Sequence, residues 1–185
     1  MKIGGTSVET PQRMNQVLQL INADEKPKIV VLSALSGTTN ALINISNAIA
    51  DGYRTEAQRK IEALQTHYIN FVNELVQSEE ARKKANAIIS EHFEFLNIIL
   101  KISFSEALNK DILAQGELLS TKLFSAFLEE KNTEHVLLPA LEFMSIDSSG
   151  EPQIGSIKVK LSQLLQQHSD KKVFITQGYI CRNSK

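Results

Sequence analysis

Apolar residues recur at helical spacing along much of this chain. Met14, Val17, Leu18 and Ile21 fall on one helical face behind Thr10-Pro11, and a threonine followed by a proline is a start signal: the hydroxyl caps free amides and the ring suits the first helical position. A helix is therefore expected from near residue 11. Lys28 to Leu32 is a short β-branched run of the kind that forms a strand buried on both faces. It leads into Ser33-Ala34-Leu35-Ser36-Gly37-Thr38-Thr39-Asn40 and a helix expected from about Ala41 to Ala50, closed by Asp51-Gly52. Two strongly amphipathic segments follow. One carries Ile61, Leu64, Tyr68, Phe71, Val72, Leu75 and Val76; the other carries Ile88, Ile89, Phe93, Leu96, Ile99 and Leu100, and together they predict a helical hairpin. A further helix is expected from about Ser105 to Lys131 with Gly116 in its path, so that the helical segment covers about 56–131. Strands return at His135 to Leu138 and Lys172 to Thr176, separated by a turn at Asp147-Ser148-Ser149-Gly150 and a helix from about Ile157 to Gln167. Alternation of this kind predicts an α/β fold with a mostly parallel sheet. Little strand precedes Gly4, and Cys181-Arg182-Asn183-Ser184-Lys185 comes directly after a strand that a parallel fold would follow with another crossover, so both ends are expected to be cut.

Composition narrows the classes without selecting one. The chain has 185 residues, 42% of them hydrophobic, which is enough for one well-cored domain. Twenty Lys+Arg against 21 Asp+Glu leave a net charge of −1, without the basic excess that nucleic-acid binding requires, so no nucleic-acid partner is expected. The longest apolar runs fall far short of the roughly 20 residues of a membrane span, so no membrane partner is expected either. One cysteine, Cys181, excludes an internal disulfide framework, and no secretory leader pattern is present; the cytoplasm is the expected location. His67, His92, His135 and His168 have no metal-ligand spacing, so no metal site is expected, and His92, at the edge of an apolar stripe, reads as a helix-packing histidine. Glu79-Glu80 and Lys83-Lys84 read as a solvated helix start with i,i+4 pairing.

Ligand sites of open α/β sheets lie beyond the carboxyl ends of the strands, which directs attention to three segments. In Lys2-Ile3-Gly4-Gly5-Thr6-Ser7, two glycines let backbone amides approach an anion and Lys2 adds a positive charge, an arrangement suited to phosphate; it is neither a Walker A loop nor G-x-G-x-x-G. Its plainer reading is a turn. Ser33 to Asn40 supplies hydroxyls at a strand-to-helix junction for a carboxylate or phosphate, or else simply a Thr39 or Asn40 cap for the next helix. Gln115-Gly116-Glu117-Leu118-Leu119-Ser120 places an acid beside a glycine in an apolar helix, where a carboxylate can hold an ammonium group, or else lie solvated on the surface.

Taken in order, these segments resemble the aspartokinases, the aspartate-specific branch of the amino acid kinase family. The family's K-F-G-G-T-S-V reads here Lys2-Ile3-Gly4-Gly5-Thr6-Ser7-Val8, and its V-V-[LV]-S-A-x-x-G-x-T-N reads Val30 to Asn40. Its G-E-x-x-S-x-x-[LF] helix is Gly116 to Leu123, and its V-x-T-Q-G-[FY]-I strand end is Phe174 to Ile180. The resemblance spans essentially the whole chain. It implies a three-layer α/β/α amino acid kinase-like fold with an inserted helical hairpin, incomplete because the nucleotide lobe with its G-R-G-G-S-D block and the regulatory domains have no counterpart here. The chain would then be the N-terminal amino-acid-binding lobe, residues 1–185, of an enzyme that transfers the γ-phosphoryl group of ATP, with Mg2+, to the side-chain carboxylate of L-aspartate. The product is 4-phospho-L-aspartate, at the start of lysine, threonine and methionine biosynthesis; the parent would be a homo-oligomer and the isolated chain inactive. By position, the resemblance makes Lys2 the residue that stabilises the transferring phosphoryl group, and Gly4, Gly5 and Ser7 the holders of phosphate oxygens. Ser33 would lie near phosphate or substrate, Thr39 would bind the substrate carboxylate and Glu117 its α-ammonium. Where relatives often read D-[AV]-R after the strand ending at Leu138, this chain has Pro139-Ala140-Leu141. Two other readings stay open: a kinase for glutamate or acetylglutamate, and a noncatalytic module whose two amphipathic helices bind a partner.

Overall fold

The computed structural model describes residues 1–183. Four parallel strands form the main sheet in the order β1 (Lys2–Ile3), β2 (Lys28–Leu32), β5 (Val173–Gln177), β3 (Val136–Leu138). The register pairs Ile3 with Leu32, Leu32 with Gln177 and Leu138 with Thr176, so the carboxyl ends of all four strands lie along one edge. A second, two-stranded parallel sheet joins β4 (Ser145–Ile146) to β6 (Arg182–Asn183). The tail residues Ser184 and Lys185 lie outside the described part.

Short as β1 is, its position is secured. The Met1 ammonium donates to the Ile29 carbonyl at 2.6 Å, and the Met1 carbonyl accepts from the Val31 amide at 2.8 Å. The two bonds of Met1 pin Lys2 against β2.

After α1 (Pro11–Ile21), whose Thr10 cap accepts from the Arg13 amide as expected, the helical mass consists of α2 (Thr38–Ala50), α3 (Arg54–Leu75), α4 (Glu79–Ile99) and α5 (Glu106–Glu130). Helix α2 packs on α3, α3 on α4, α4 on α5 and α5 back on α2, closing a ring of four. The hairpin α3–α4 is therefore half of a four-helix bundle, and its apolar stripe, Ile61, Leu64, Tyr68, Phe71, Ile89, Phe93 and Leu96, is buried in one core that continues through α5 to Val30 and Ile175 of the sheet. Helix α5 covers one face of the sheet. The other face is covered by α7 (Ile154–Gln167), whose Ile157, Leu161, Leu164 and Leu165 pack half-buried on a small cluster of Leu138, Phe143 and Phe174. This is the three-layer α/β/α arrangement, with unequal layers.

Several expectations need correction. Helix α2 starts at Thr38 rather than near Ala41, so its cap is Gly37 and neither Thr39 nor Asn40 serves as one. Helix α7 starts at Ile154 rather than Ile157, and the strands run Val136–Leu138 and Val173–Gln177. The i,i+4 pairing expected at the start of α4 is replaced by an ion pair between Lys84, which stays solvent-exposed, and Glu129 on the neighbouring helix α5. The Pro139-Ala140-Leu141 segment begins a short helix, α6 (Ala140–Phe143), whose first amide donates to the buried Gln177 side chain at 2.7 Å.

Candidate functional site

At the carboxyl ends of β1, β2 and β5 lies a cleft of about 600 Å³, lined by Lys2, Gly5, Thr6, Ser33 to Gly37, Thr39, Glu117, Gly178 and Tyr179. Each of its walls has a local cause. The turn after β1 can lie against the turn after β2 only because residue 5 is glycine: a Cβ there would sit 2.9 Å from the Ala34 carbonyl oxygen. The Ser33 amide donates to the Ile3 carbonyl at 3.1 Å and the Gly178 amide to the Leu32 carbonyl at 2.7 Å, stitching the three strand ends together.

Helix α2 begins at this cleft. Its cap, Gly37, has no side chain to satisfy the first-turn amides, so the positive end of the helix opens beside Ser36 and Thr39. Helix α5 crosses behind with its middle turn in contact. Gly116 makes that contact possible, since a Cβ there would lie 2.9 Å from the Ala34 Cβ and 3.4 Å from the Thr38 methyl. The next residue, Glu117, is buried, and its Oε1 accepts from the Ala34 amide at 3.4 Å. Burial pushes its carboxyl above the usual range, and the Ala34 amide offsets only part of that. Three residues on, the Ser120 hydroxyl donates to the Ser33 carbonyl at 2.9 Å, so α5 holds the β2 loop at two points.

The structure thus brings Lys2, Gly5, Ser33, Thr39 and Glu117 into one cleft. Lys2 is exposed and has no ion pair among the described residues. Glu117 is the sole carboxylate in the lining. Gly4 and Ser7 stand apart from it: both lie at the 3-10 turn Gly5–Val8, where the Ser7 amide is occupied by the Gly4 carbonyl at 2.9 Å. Sequence reasoning missed Tyr179, which is largely exposed over the cleft with a φ of 63°. Its position beyond Gly178 at the end of β5 was the available signal. Gln177, in the same motif, points away into the core, where its Nε2 donates to the Thr121 hydroxyl at 2.9 Å.

His92 is buried on α4, with Nδ1 2.6 Å from Gln115 Oε1; because the Gln115 Nε2 donates to the Asp111 carbonyl, that oxygen is the acceptor and Nδ1 carries the proton. Burial holds the imidazole below its ordinary pKa. Cys181 is half-buried. Among the described residues no group of three His, Cys, Asp or Glu side chains could hold a metal ion, and no helix is long and apolar enough to cross a membrane.

Comparison with known proteins gives this arrangement its context. The chain is 29% identical over 186 residues to bifunctional aspartokinase/homoserine dehydrogenase 2 of Escherichia coli, covering 99% of this chain and 23% of that protein. It is 27% identical over 187 residues to the lysine-sensitive aspartokinase 3 of the same organism, covering 100% of this chain and 41% of the relative. The crystal structure of E. coli aspartokinase III in complex with aspartate and ADP superimposes with a TM-score of 0.80 at 25% identity, over 99% of this chain and 41% of that one. This chain therefore spans well under half the length of these relatives. The model of the amino acid kinase family matches residues 1–185. With that match over its whole length and aspartokinases as relatives, the chain belongs to the amino acid kinase family.

Proposed function

We propose that this chain is the amino-acid-binding lobe, residues 1–185, of a cytoplasmic aspartate kinase, and that its cleft binds L-aspartate for phosphorylation on the side-chain carboxylate by ATP. The observation that carries the reading is the composition of one cleft: a lysine without an ion-pair partner among the described residues, a glycine turn, two hydroxyls at an open helix N-terminus, and a single buried carboxylate. An α-amino acid with an acidic side chain presents the complementary set, one ammonium and two carboxylates.

In this reading Glu117 holds the ammonium group, Thr39 and the first turn of α2 hold a carboxylate, and Ser33 lies between substrate and phosphate. Lys2 and the Gly5 backbone face the phosphoryl group, while Gly4 and Ser7, which stand outside the cleft, shape the turn that carries Gly5. The acceptor carboxylate is already ionised at neutral pH, so no strong base is required; positioning and neutralisation of the phosphoryl charge account for the chemistry asked of these residues. Lys2 and the glycine amides suit ATP phosphates. The described residues offer no ligand cluster for Mg2+, so the ion would come with the nucleotide. The similar E. coli aspartokinase III, whose structure holds aspartate and ADP, supports this assignment.

Titration calorimetry of the purified chain with L-aspartate tests it. Binding is expected, weakened at least tenfold by Glu117→Ala, as loss of a charge-assisted contact of about 1.5–3 kcal/mol implies. A folded chain that takes up no aspartate, or whose uptake ignores Glu117→Ala, overturns the assignment. ATP-dependent aspartyl hydroxamate formation by the chain alone is expected to be absent; its presence would show that these 185 residues suffice for catalysis.

A further inference from the structure

Each helix of the hairpin places one buried polar side chain behind the cleft. On α3, Tyr68 is fully buried and its hydroxyl shares a 2.9 Å hydrogen bond with the Thr38 hydroxyl, one residue before Thr39 in the first turn of α2. On α4, His92 donates to Gln115 on α5, two residues before Glu117. Thr38, Tyr68, His92 and Gln115 line the same small void of about 10 Å³, at or below the space a single water needs. Neither link therefore has room to slacken through a bridging water.

Between these links, Gly116 brings α5 against Ala34 and Thr38. The start of α2 and the middle of α5 are thus in contact with each other and each tied from behind to one arm of the hairpin. Neither Tyr68 nor His92 lines the cleft. A buried hydroxyl or imidazole carries a desolvation cost that a Phe or Leu at the same place would avoid, so some other requirement is needed to account for the polar choice. Recognition of an α-amino acid supplies one, because a displacement of about 1 Å between its two binding groups is enough to impair function.

We infer that Tyr68 and His92 are positioning residues that hold Thr39 and Glu117 at the separation an α-amino acid requires, so that the helical hairpin sets substrate recognition from behind the site. The inference rests on the aspartate-site reading above. Calorimetry of the purified chain with L-aspartate, run beside thermal unfolding, tests both. Tyr68→Phe is expected to weaken aspartate binding roughly threefold to tenfold, the loss of about one buried hydrogen bond. Thr38→Val is expected to do the same, and Thr38→Ser, which keeps the hydroxyl, to leave binding near the wild type. The double variant Tyr68→Phe/Thr38→Val separates positioning from stability: with neither hydroxyl left unpaired, the unfolding midpoint returns toward the wild type while aspartate binding stays weak. His92→Leu weakens binding as well, and His92→Gln, which can donate to the same Gln115 oxygen, recovers it. Wild-type chain that does not bind aspartate overturns the site itself and this inference with it. Wild-type binding that Tyr68→Phe leaves unchanged, or binding that recovers together with stability in the double variant, overturns the positioning role alone.

Discussion

Gly116 and Glu117 are adjacent in sequence and opposed in what they ask of the fold: one requires closeness, the other tolerates burial of a charge. Replacing Gly116 by alanine would ordinarily help a helix by about 0.5–1 kcal/mol. Here the new methyl would stand 2.9 Å from the Ala34 Cβ, a group fixed directly to the backbone, so the β2 loop has to move. Gly116→Ala is expected to cost a net 1–3 kcal/mol, the usual range for overpacking, and to lower the thermal midpoint; a raised midpoint would show that the loop yields without cost. Glu117 has a signature in pH. Its folded-state pKa lies above the ordinary 4.5, so the folded chain holds the proton more tightly than the unfolded chain. Its contribution to stability is complete below that ordinary value and is lost as pH rises through the higher folded value. His92 acts with the other sign, since its folded pKa lies below the ordinary 6.5: stability falls as pH drops beneath 6.5 toward the folded value. Thermal unfolding against pH, taken as the difference between wild type and Glu117→Gln or His92→Gln, is expected to slope downward with pH for the first and upward for the second. A flat difference in either case removes the burial argument for that residue.

At the scale of elements, the structure separates what local patterning can report from what only assembly decides. The hairpin, α5 and the central strands were legible because their apolar residues recur on faces that end up buried, such as Ile61, Leu64 and Tyr68 on α3 or Val30 and Leu32 on β2. The first turn of α2 was not. Thr38, Thr39 and Asn40 carry no apolar period, and they are polar because one meets Tyr68 while another lines the cleft. The start of α7 was missed for a related reason: Ile154 is exposed and the helix has no fully buried residue, so its pattern is weak. In the cleft, Lys2, Gly5, Ser33, Thr39 and Glu117 were readable from motif order, whereas outside it the hydrogen bonds of Tyr68, His92 and Glu130 cross long sequence separations that no local pattern encodes. Glu130, at the end of α5, accepts from the Gln77 and Ser78 amides at 2.8 and 2.7 Å, clasping the turn between α3 and α4. Burial alone would raise its pKa; the two amides and Lys131 outweigh that and hold it below the ordinary value. A depressed carboxyl contributes stability above its unfolded pKa and loses it as pH falls through the folded one. Glu130→Ala is therefore expected to cost about 1–3 kcal/mol near neutrality, with the difference from wild type vanishing in acid. Denaturant titrations at the two pH values measure this, and an equal loss at both would mean that the ionised carboxylate is not what matters.

For the molecule as a whole, the distribution of core decides how it comes apart. One continuous cluster joins the sheet to all four bundle helices, from Val30 and Ile175 through Leu119 and Phe124 to Phe93 and Ile89, so the hairpin has no core of its own. Removing the Phe93 ring should then be felt by the whole assembly: Phe93→Ala is expected to cost about 3–5 kcal/mol and to shift a single unfolding transition, identical by backbone and tyrosine signals, instead of producing a separate early step. The opposite face of the sheet is different. There α7 rests half-exposed on Leu138, Phe143 and Phe174, and its Ile154 and Val159 remain open to solvent. Local opening takes the least free energy where few apolar contacts must break. Native-state hydrogen exchange should therefore release the α7 amides first, at a free energy well below that of global unfolding, while amides of α5 and β5 exchange only with the whole molecule. Protection of α7 equal to that of α5 would mean that the two faces of the sheet form one cooperative unit despite their unequal layers.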